Sequence, residues 1–333
     1  MKKAAVFSFS LRGEVLADRM AAVLANEYEV RLLQPKGDLT VQTGSVFHEC
    51  DLLIFVGACG IAVRAIAPYV VSKMSDPAVL VTDEQGMHVI SLLSGHIGGA
   101  NDLTLRIAAA IGADPVITTA TDVNGRFAVD AWAEKNGLII EDMDIAKAFS
   151  VAILQRDVAF TSELPVEGKL PPGIRLSLTG DIGAAVSFRR ISPFGTTLLL
   201  IPRVLHLGIG CRRGVSAKEI EDKVMWILNE YWIDWRSIAS VSSIDLKKDE
   251  PGLQEFAYRW NIPSYFYTAE QLQQAPGTYT ASEFVQDTVG VDNVCERAAV
   301  LSAGAGGRII ISKVAGDGIT VAIAMEDRRL TFE

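Results

Sequence analysis

The 333-residue chain reads as an α/β protein, with a doubly wound N-terminal α/β domain, a small α+β middle segment and a C-terminal α/β domain. Three observations predict this. Short apolar runs alternate with stretches of helical spacing at both ends of the chain. Several of those runs stop at glycine turns that open a helix. Between them the texture changes to short strand-like pieces broken by Pro171-Pro172-Gly173. The boundaries that follow are 1–137, 138–202 and 203–333, and 49% hydrophobic residues suffice for more than one core.

In chain order, Ala4 to Phe9 is a buried-strand run, Leu11 to Leu24 has helical spacing and Glu29 to Leu33 is a second strand, a βαβ opening. Asp51 to Val56 is a strand ending in Gly57-Ala58-Cys59-Gly60, followed by a helix from Ile61 stopped by Pro68. Pro77 to Thr82 and Met87 to Leu93 form a hairpin-like pair around the turn Asp83-Glu84-Gln85-Gly86. The run Ser94-Gly95-His96-Ile97-Gly98-Gly99 leads into a helix from Asn101 to Ile111, with Gly112 as its C-terminal cap. Pro115 to Thr119 is a strand that delivers the hydroxyl-rich loop 118–125, and Phe127 to Asn136 is a helix.

The middle segment has a helix over Asp142 to Leu154 and strand-like pieces at Val158, Ile174, Ala184 and Thr196. The C-terminal domain opens with a strand from Val204 to Ile209 and the loop Gly210-Cys211-Arg212-Arg213-Gly214. Ser216 and Glu219 have capping-box spacing for the next helix. Ile238 to Ile244, a helix to about Trp260, Ser264 to Tyr267, a helix from Val294 and two final strands complete it.

The formal net charge is −9, and no basic patch or run stands out, which argues against nucleic acid or a membrane surface as partner. No apolar run is long enough to span a bilayer, and the first residues are too quickly polar for a signal peptide. Cys50, Cys59, Cys211 and Cys295 show no C-x-x-C pairing, so reduced thiols in a cytoplasmic protein are expected. The four histidines are too scattered for a local metal-ligand pattern. Oligomeric state is not legible in the sequence.

The stretch from Gly57 to Gly125 gathers the chemically suggestive residues. Gly95, Gly98 and Gly99 permit φ > 0 and close ligand approach, and a helix starting there directs N–H groups at an anion beside His96. His96 reads equally as a satisfied structural histidine or as a catalytic one. Asp83 and Glu84 read as solvated turn residues or as catalytic carboxylates. Arg64, Lys73, Arg212 and Arg213 read as surface charges or as carboxylate binders, and Lys247, Lys248 and Glu250 as a solvated helix start or part of a site. Cys211 is an inert small residue or a nucleophile. Gly208-Ile209-Gly210 has G-x-G-x-x-x-G spacing with no acidic residue at the expected later strand end, a poor fit to a dinucleotide loop. Walker and nucleophile-elbow patterns are absent from the sequence.

These motifs carry a resemblance. Gly57-x-x-Gly60-Ile61-x-Val63-Arg64, Lys73-x-x-Asp76-Pro77, Asp83-Glu84-x-Gly86, Ser94-Gly95-His96-x-Gly98-Gly99-Ala100-Asn101 and Thr118-Thr119-Ala120-Thr121-Asp122 are similar to the N-terminal region of the cobalamin biosynthesis protein G family. Gly208-x-Gly210-Cys211-Arg212-Arg213-Gly214, Ser243 to Leu253 and Val294-Cys295-Glu296 resemble its C-terminal domain. The resemblance implies a cobalt-precorrin-5A hydrolase of anaerobic vitamin B12 synthesis. In that reaction water opens a δ-lactone on a cobalt-bearing tetrapyrrole, acetaldehyde leaves, and cobalt-precorrin-5B remains. It implies no cofactor, the cobalt being carried by the anionic substrate, and other enzymes of the pathway as possible partners.

On this reading His96 is expected to act as general base, with Asp83 or Glu84 orienting it, and with Ser94 and the N–H groups of Gly98 and Gly99 holding the oxyanion. Gly57, Gly60, Arg64, Lys73, Gly95, Gly98, Gly99, Asn101, Thr119, Thr121, Asp122, Cys211, Arg212, Arg213, Lys247, Lys248 and Glu250 are the expected substrate contacts. A tetrapyrrole carrier without chemistry and a nucleotide-dependent oxidoreductase are the alternatives.

Overall fold

In the computed structural model, residues 1–72, 75–96, 98–281 and 290–332 are described. Packing divides the chain into two units, Met1–Glu134 and Lys135–Glu333.

The first unit is built on six strands: β1 (Lys2–Ser8), β2 (Tyr28–Leu33), β3 (Leu52–Val56), β4 (Ala78–Thr82), β5 (His88–Leu93) and β6 (Asp114–Val116). Their order across the sheet is β2-β1-β3-β4-β5-β6. β3 reads Leu-Leu-Ile-Phe-Val and is buried at every position, as a central strand covered on both faces must be. Helices α1 (Leu11–Leu24), α2 (Leu39–Phe47), α3 (Cys59–Ile66) and α4 (Ala100–Ile111) supply the covers. Leu16 and Met20 of α1 and Leu103 and Ile107 of α4 pack on Ala4, Val6 and Ile54. On the other face Phe47 of α2 and Ala62 and Ile66 of α3 meet Phe7 and Phe55, whose rings stack at 4.8 Å. Full burial of each such side chain stabilises the unit by about 1.5–3 kcal/mol.

Strand direction is what positions the site. β1 to β4 are mutually parallel, but β5 runs antiparallel to β4, pairing Val79 with Leu93 and Thr82 with Val89. β6 is parallel to β5. The loops after β5 and β6 therefore leave from the edge at which β4 begins, and the loops after β1, β3 and β4 leave from the opposite edge. Two short helices, α5 (Ala120–Val123) and α6 (Val129–Lys135), follow β6.

In the second unit, the segment read as a middle module carries its own sheet. It comprises β7 (Leu138–Ile140), β8 (Val158–Ser162), β10 (Ile174–Leu176), β11 (Ile182–Val186) and β12 (Thr196–Pro202), with helix α7 (Met143–Gln155). The order is β10-β8-β11-β12-β7, all parallel except β7. The short β9 (Val166–Glu167) pairs with β18 (Leu330–Thr331) near the chain end.

The following sheet contains β13 (Leu205–Cys211), β14 (Ile238–Ile244), β15 (Ser264–Tyr267), β16 (Arg308–Gly316) and β17 (Ile319–Met325) in the order β15-β14-β13-β17-β16. Helices α8 (Ala217–Glu230), α9 (Pro251–Arg259), α10 (Ala269–Gln273) and α11 (Cys295–Ala303) complete it. A Cβ on Gly208 would lie 1.7 Å from the Cys295 carbonyl oxygen, so this glycine is required for α11 to sit on the sheet. That packing accounts for Gly208 without any dinucleotide. No helix among the described residues is long and apolar enough to cross a membrane, and all four thiols are free.

Candidate functional site

Three segments converge at the edge of the first unit's sheet where β5 and β6 end. The loop after β5 contributes His96, α5 contributes Thr121 and Asp122, and α6 contributes Asp130. His96 Nε2 lies 2.7 Å from Asp122 Oδ2, and Nδ1 lies 3.3 Å from Asp130 Oδ1. Thr121 Oγ1 is 3.3 Å from the same Nε2. The His96 and Asp130 side chains are 15% and 13% exposed, against 37% for Asp122, so Asp122 is the carboxylate that solvent reaches.

The hydrogen bond with Asp130 is the largest influence on His96. Burial opposes it, and the Asp130 charge and the Asp122 contact reinforce it, so the imidazole is pushed up to about 9. Near neutral pH the ring is a cation between two carboxylates.

Asn101, buried in the first turn of α4, ties this array to the sheet. Ser91 Oγ donates to Asn101 Oδ1 at 2.7 Å, which fixes the amide so that Nδ2 donates to Thr119 Oγ1 and to Asp122 Oδ2, each at 3.0 Å. Asp122 Oδ2 is thus held from two sides.

The glycine loop differs in detail from its sequence reading. Of its three glycines only Gly99 has a positive φ, +74°, and Ser94 is left-handed too, at +57°. Gly95 and Gly98 are glycines for lack of room: a Cβ on Gly95 would lie 2.8 Å from Asn101 Oδ1, and one on Gly98 would lie 2.5 Å from Ser94 Cβ. The anion-holding role expected of this helix start also meets competition. The Gly99 N–H donates to the His96 carbonyl, and those of Ala100 and Asn101 donate to the Ser94 and Gly95 carbonyls. Ser94 Oγ is buried and donates to the Asp76 carbonyl at 3.0 Å, so it serves the loop and not an oxyanion.

Asp83 and Glu84 do not meet His96. They follow β4 at the other edge, a full strand away, about 17 Å for five residues. Burial pushes Asp83 up, but the N–H groups of His88, Met87 and Gln85 outweigh it and hold the carboxyl below its ordinary value. Glu84 accepts from Ser10 Oγ at 2.6 Å. Gly57, whose N–H donates to the Thr82 carbonyl, lies at that edge with Gly60 and the exposed Arg64, whose guanidinium donates to the Gly60 carbonyl at 3.3 Å. Lys73 lies outside the described residues.

A second cluster forms in the second unit where β13 and β14 end. Lys247 Nζ lies 3.2 Å from Glu250 Oε2, and the Gly214 N–H donates to Glu250 Oε1 at 2.5 Å. That backbone bond above all, with Lys247 and Arg213, holds the Glu250 carboxyl below its ordinary value. Burial pushes the Cys211 thiol up, which makes it a poor nucleophile near neutral pH. Arg212 is committed elsewhere, donating to the Asp317 carbonyl at 3.1 Å and lying against Gly318. Arg213 and Lys248 are exposed cations. Among the described residues no group of three or more His, Cys, Asp and Glu side chains is arranged to hold a metal ion.

Asp130 was not among the sequence candidates. A helix-borne Asp 34 residues beyond His96 gives no local signal, and only the fold brings the two together.

Comparison with known proteins bears on both units. The family model for the cobalamin synthesis G N-terminal region matches residues 42–122, which include His96, Asn101 and Asp122, and that for the cobalamin synthesis G C-terminus matches residues 205–324. The chain is 35% identical over 342 residues to the cobalt-precorrin-5A hydrolase of Salmonella typhimurium, covering 96% of this chain and 97% of that protein. It is 33% identical over 320 residues to the cobalt-precorrin-5A hydrolase of Priestia megaterium, covering 90% of this chain and 85% of that one. With both family models matched in order and relatives similar over nearly their whole length, the chain belongs to the cobalamin biosynthesis protein G family.

Proposed function

We propose that this protein is a cobalt-precorrin-5A hydrolase, with the His96–Asp122 pair as its reactive centre. The observation that carries the reading is the contact between a solvent-reached carboxylate and a half-buried imidazolium, 2.7 Å apart. The expected roles change accordingly. An imidazole held protonated to about pH 9 is not a resting base, so Asp122 takes the proton from the water that attacks the lactone carbonyl. His96 holds Asp122 in place through their 2.7 Å contact, and its positive charge favours negative charge developing nearby.

When the tetrahedral adduct collapses, the lactone C–O bond breaks and protonated Asp122 returns its proton to the leaving oxygen. The same carboxylate then removes that hydroxyl proton as the adjacent C–C bond breaks. Acetaldehyde leaves, the bonding pair passes into the conjugated macrocycle, and Asp122 hands the proton on to the macrocycle, which balances the charge and restores the carboxylate.

The test is an anaerobic assay of acetaldehyde from cobalt-precorrin-5A with the wild-type chain and with Asp122→Asn. Release by the wild type and its loss in the variant are expected. Binding seen as a spectral shift, with no aldehyde from the wild type, would make the protein a carrier and overturn the proposal.

A further inference from the structure

We infer that Asp130 is a positioning residue, which acts through His96 by fixing the ring so that Nε2 faces Asp122. The inference rests on the reading above, in which His96 and Asp122 carry the chemistry. It starts from an asymmetry. Two carboxylates share one imidazole, and they differ in setting: Asp130 is 13% exposed and Asp122 37%.

A half-turn of an imidazole about its Cβ–Cγ bond puts the ring carbons Cδ2 and Cε1 where Nδ1 and Nε2 were, and carbon offers a carboxylate no N–H. With Nδ1 on Asp130 and Nε2 on Asp122, any other ring orientation gives up at least one of these contacts. Asp130 therefore selects the orientation from the buried side, and Asp122 remains the group that meets solvent. Second carboxylates that orient a working histidine recur in triads and metal sites for this reason.

The charged groups that act on His96 are two carboxylates, and both favour the charged ring. Asp122 comes from α5 and Asp130 from α6, while α4 offers the neutral amide of Asn101. Farther out, Glu134 of α6 feels Lys2 of β1, Asp130 and Asp102 of α4. Arg126, between α5 and α6, donates its backbone N–H to the Thr121 carbonyl. Asp76, before β4, accepts from the N–H groups of Val71 and Ser72.

The experiment compares full-length wild type, Asp130→Asn and Asp130→Glu by two readouts. The first is nitrogen-15 resonance of the imidazoles in substrate-free protein, with His96→Gln used to assign the signal. The second is the pH profile of kcat/KM for acetaldehyde release. In D130N the His96 titration should fall by at least about one pH unit, the alkaline limb of activity should move down with it, and kcat should drop by about 10–100-fold. D130E should restore most of the titration and of the activity.

An unmoved His96 titration in D130N overturns the inference, as does lost activity with an unmoved alkaline limb. Should D130N fail to fold, D130E with wild-type stability and neither change would also overturn it. If His96→Gln keeps full activity, the functional reading falls instead, and the resonance measurement still reports whether Asp130 governs the ring.

Discussion

His96 and His206 are built alike and placed differently. Each ring is held by polar partners on both nitrogens. His206 Nδ1 lies 2.7 Å from Ser240 Oγ, and Nε2 lies 3.4 Å from Glu326 Oε2, a Ser–His–Glu series. On residue types alone the second would be the better candidate for hydrolysis. Yet Ser240 is 1% exposed and His206 7%, at the beginnings of β14 and β13, whereas Asp122 stands 37% exposed beside His96. A chemically suggestive series does nothing without access, so the comparison separates a polar network that holds a sheet together from one that can meet a ligand.

The comparison breaks most visibly through activity. His96→Ala should lower kcat/KM for acetaldehyde release by about 10²–10⁴-fold, the usual worth of a positioned proton-transfer system. His206→Gln should leave it unchanged. A reversal of these two outcomes would move the reactive centre into the second unit.

Stability against pH sharpens it next. His96 is raised in the folded protein from an ordinary 6.5 to about 9. Its contribution is therefore complete below about pH 6.5 and lost as pH rises through 9, on the order of 3 kcal/mol at most. Thermal unfolding of the wild type should show a Tm falling between pH 6.5 and 9.5, and His96→Gln should flatten that part of the fall.

His206→Ala should cost about 1–3 kcal/mol by leaving Ser240 without its buried partner, a loss read as a lower denaturation midpoint with kcat intact. Asp83→Asn should have the smallest effect on catalysis, none in kcat, because its carboxyl serves the β4–β5 turn.

Much of the frame was legible because it rests on local physics. Leu11–Leu24 was bounded correctly from its spacing, and Ser216 forms the capping box that its position before Glu219 implied. Helix α2 leaves little trace in the sequence: Leu39–Phe47 mixes β-branched residues with Gly44, and only Asp38, whose side chain accepts from Thr40 and Val41, marks its start. The site was legible in part. Asn101, Thr121 and Asp122 were named as substrate contacts, and the structure joins them to His96 and to one another, a set of contacts no spacing rule supplies. The pairing of His96 with Asp83 or Glu84 failed for a reason already in the sequence, since the turn of a hairpin and the end of its second strand lie at opposite ends.

The narrow seat at Gly95 has a consequence for variation in this protein. A methyl group there, far too small to reach a macrocycle, would meet the Asn101 amide at 2.8 Å and force it aside. Asp122 would then lose one of its two tethers without any substitution in the reacting groups, so Gly95→Ala should behave as a remote loosening of the carboxylate. Sequence changes at this position are filtered by an amide on the next helix, whatever the ligand.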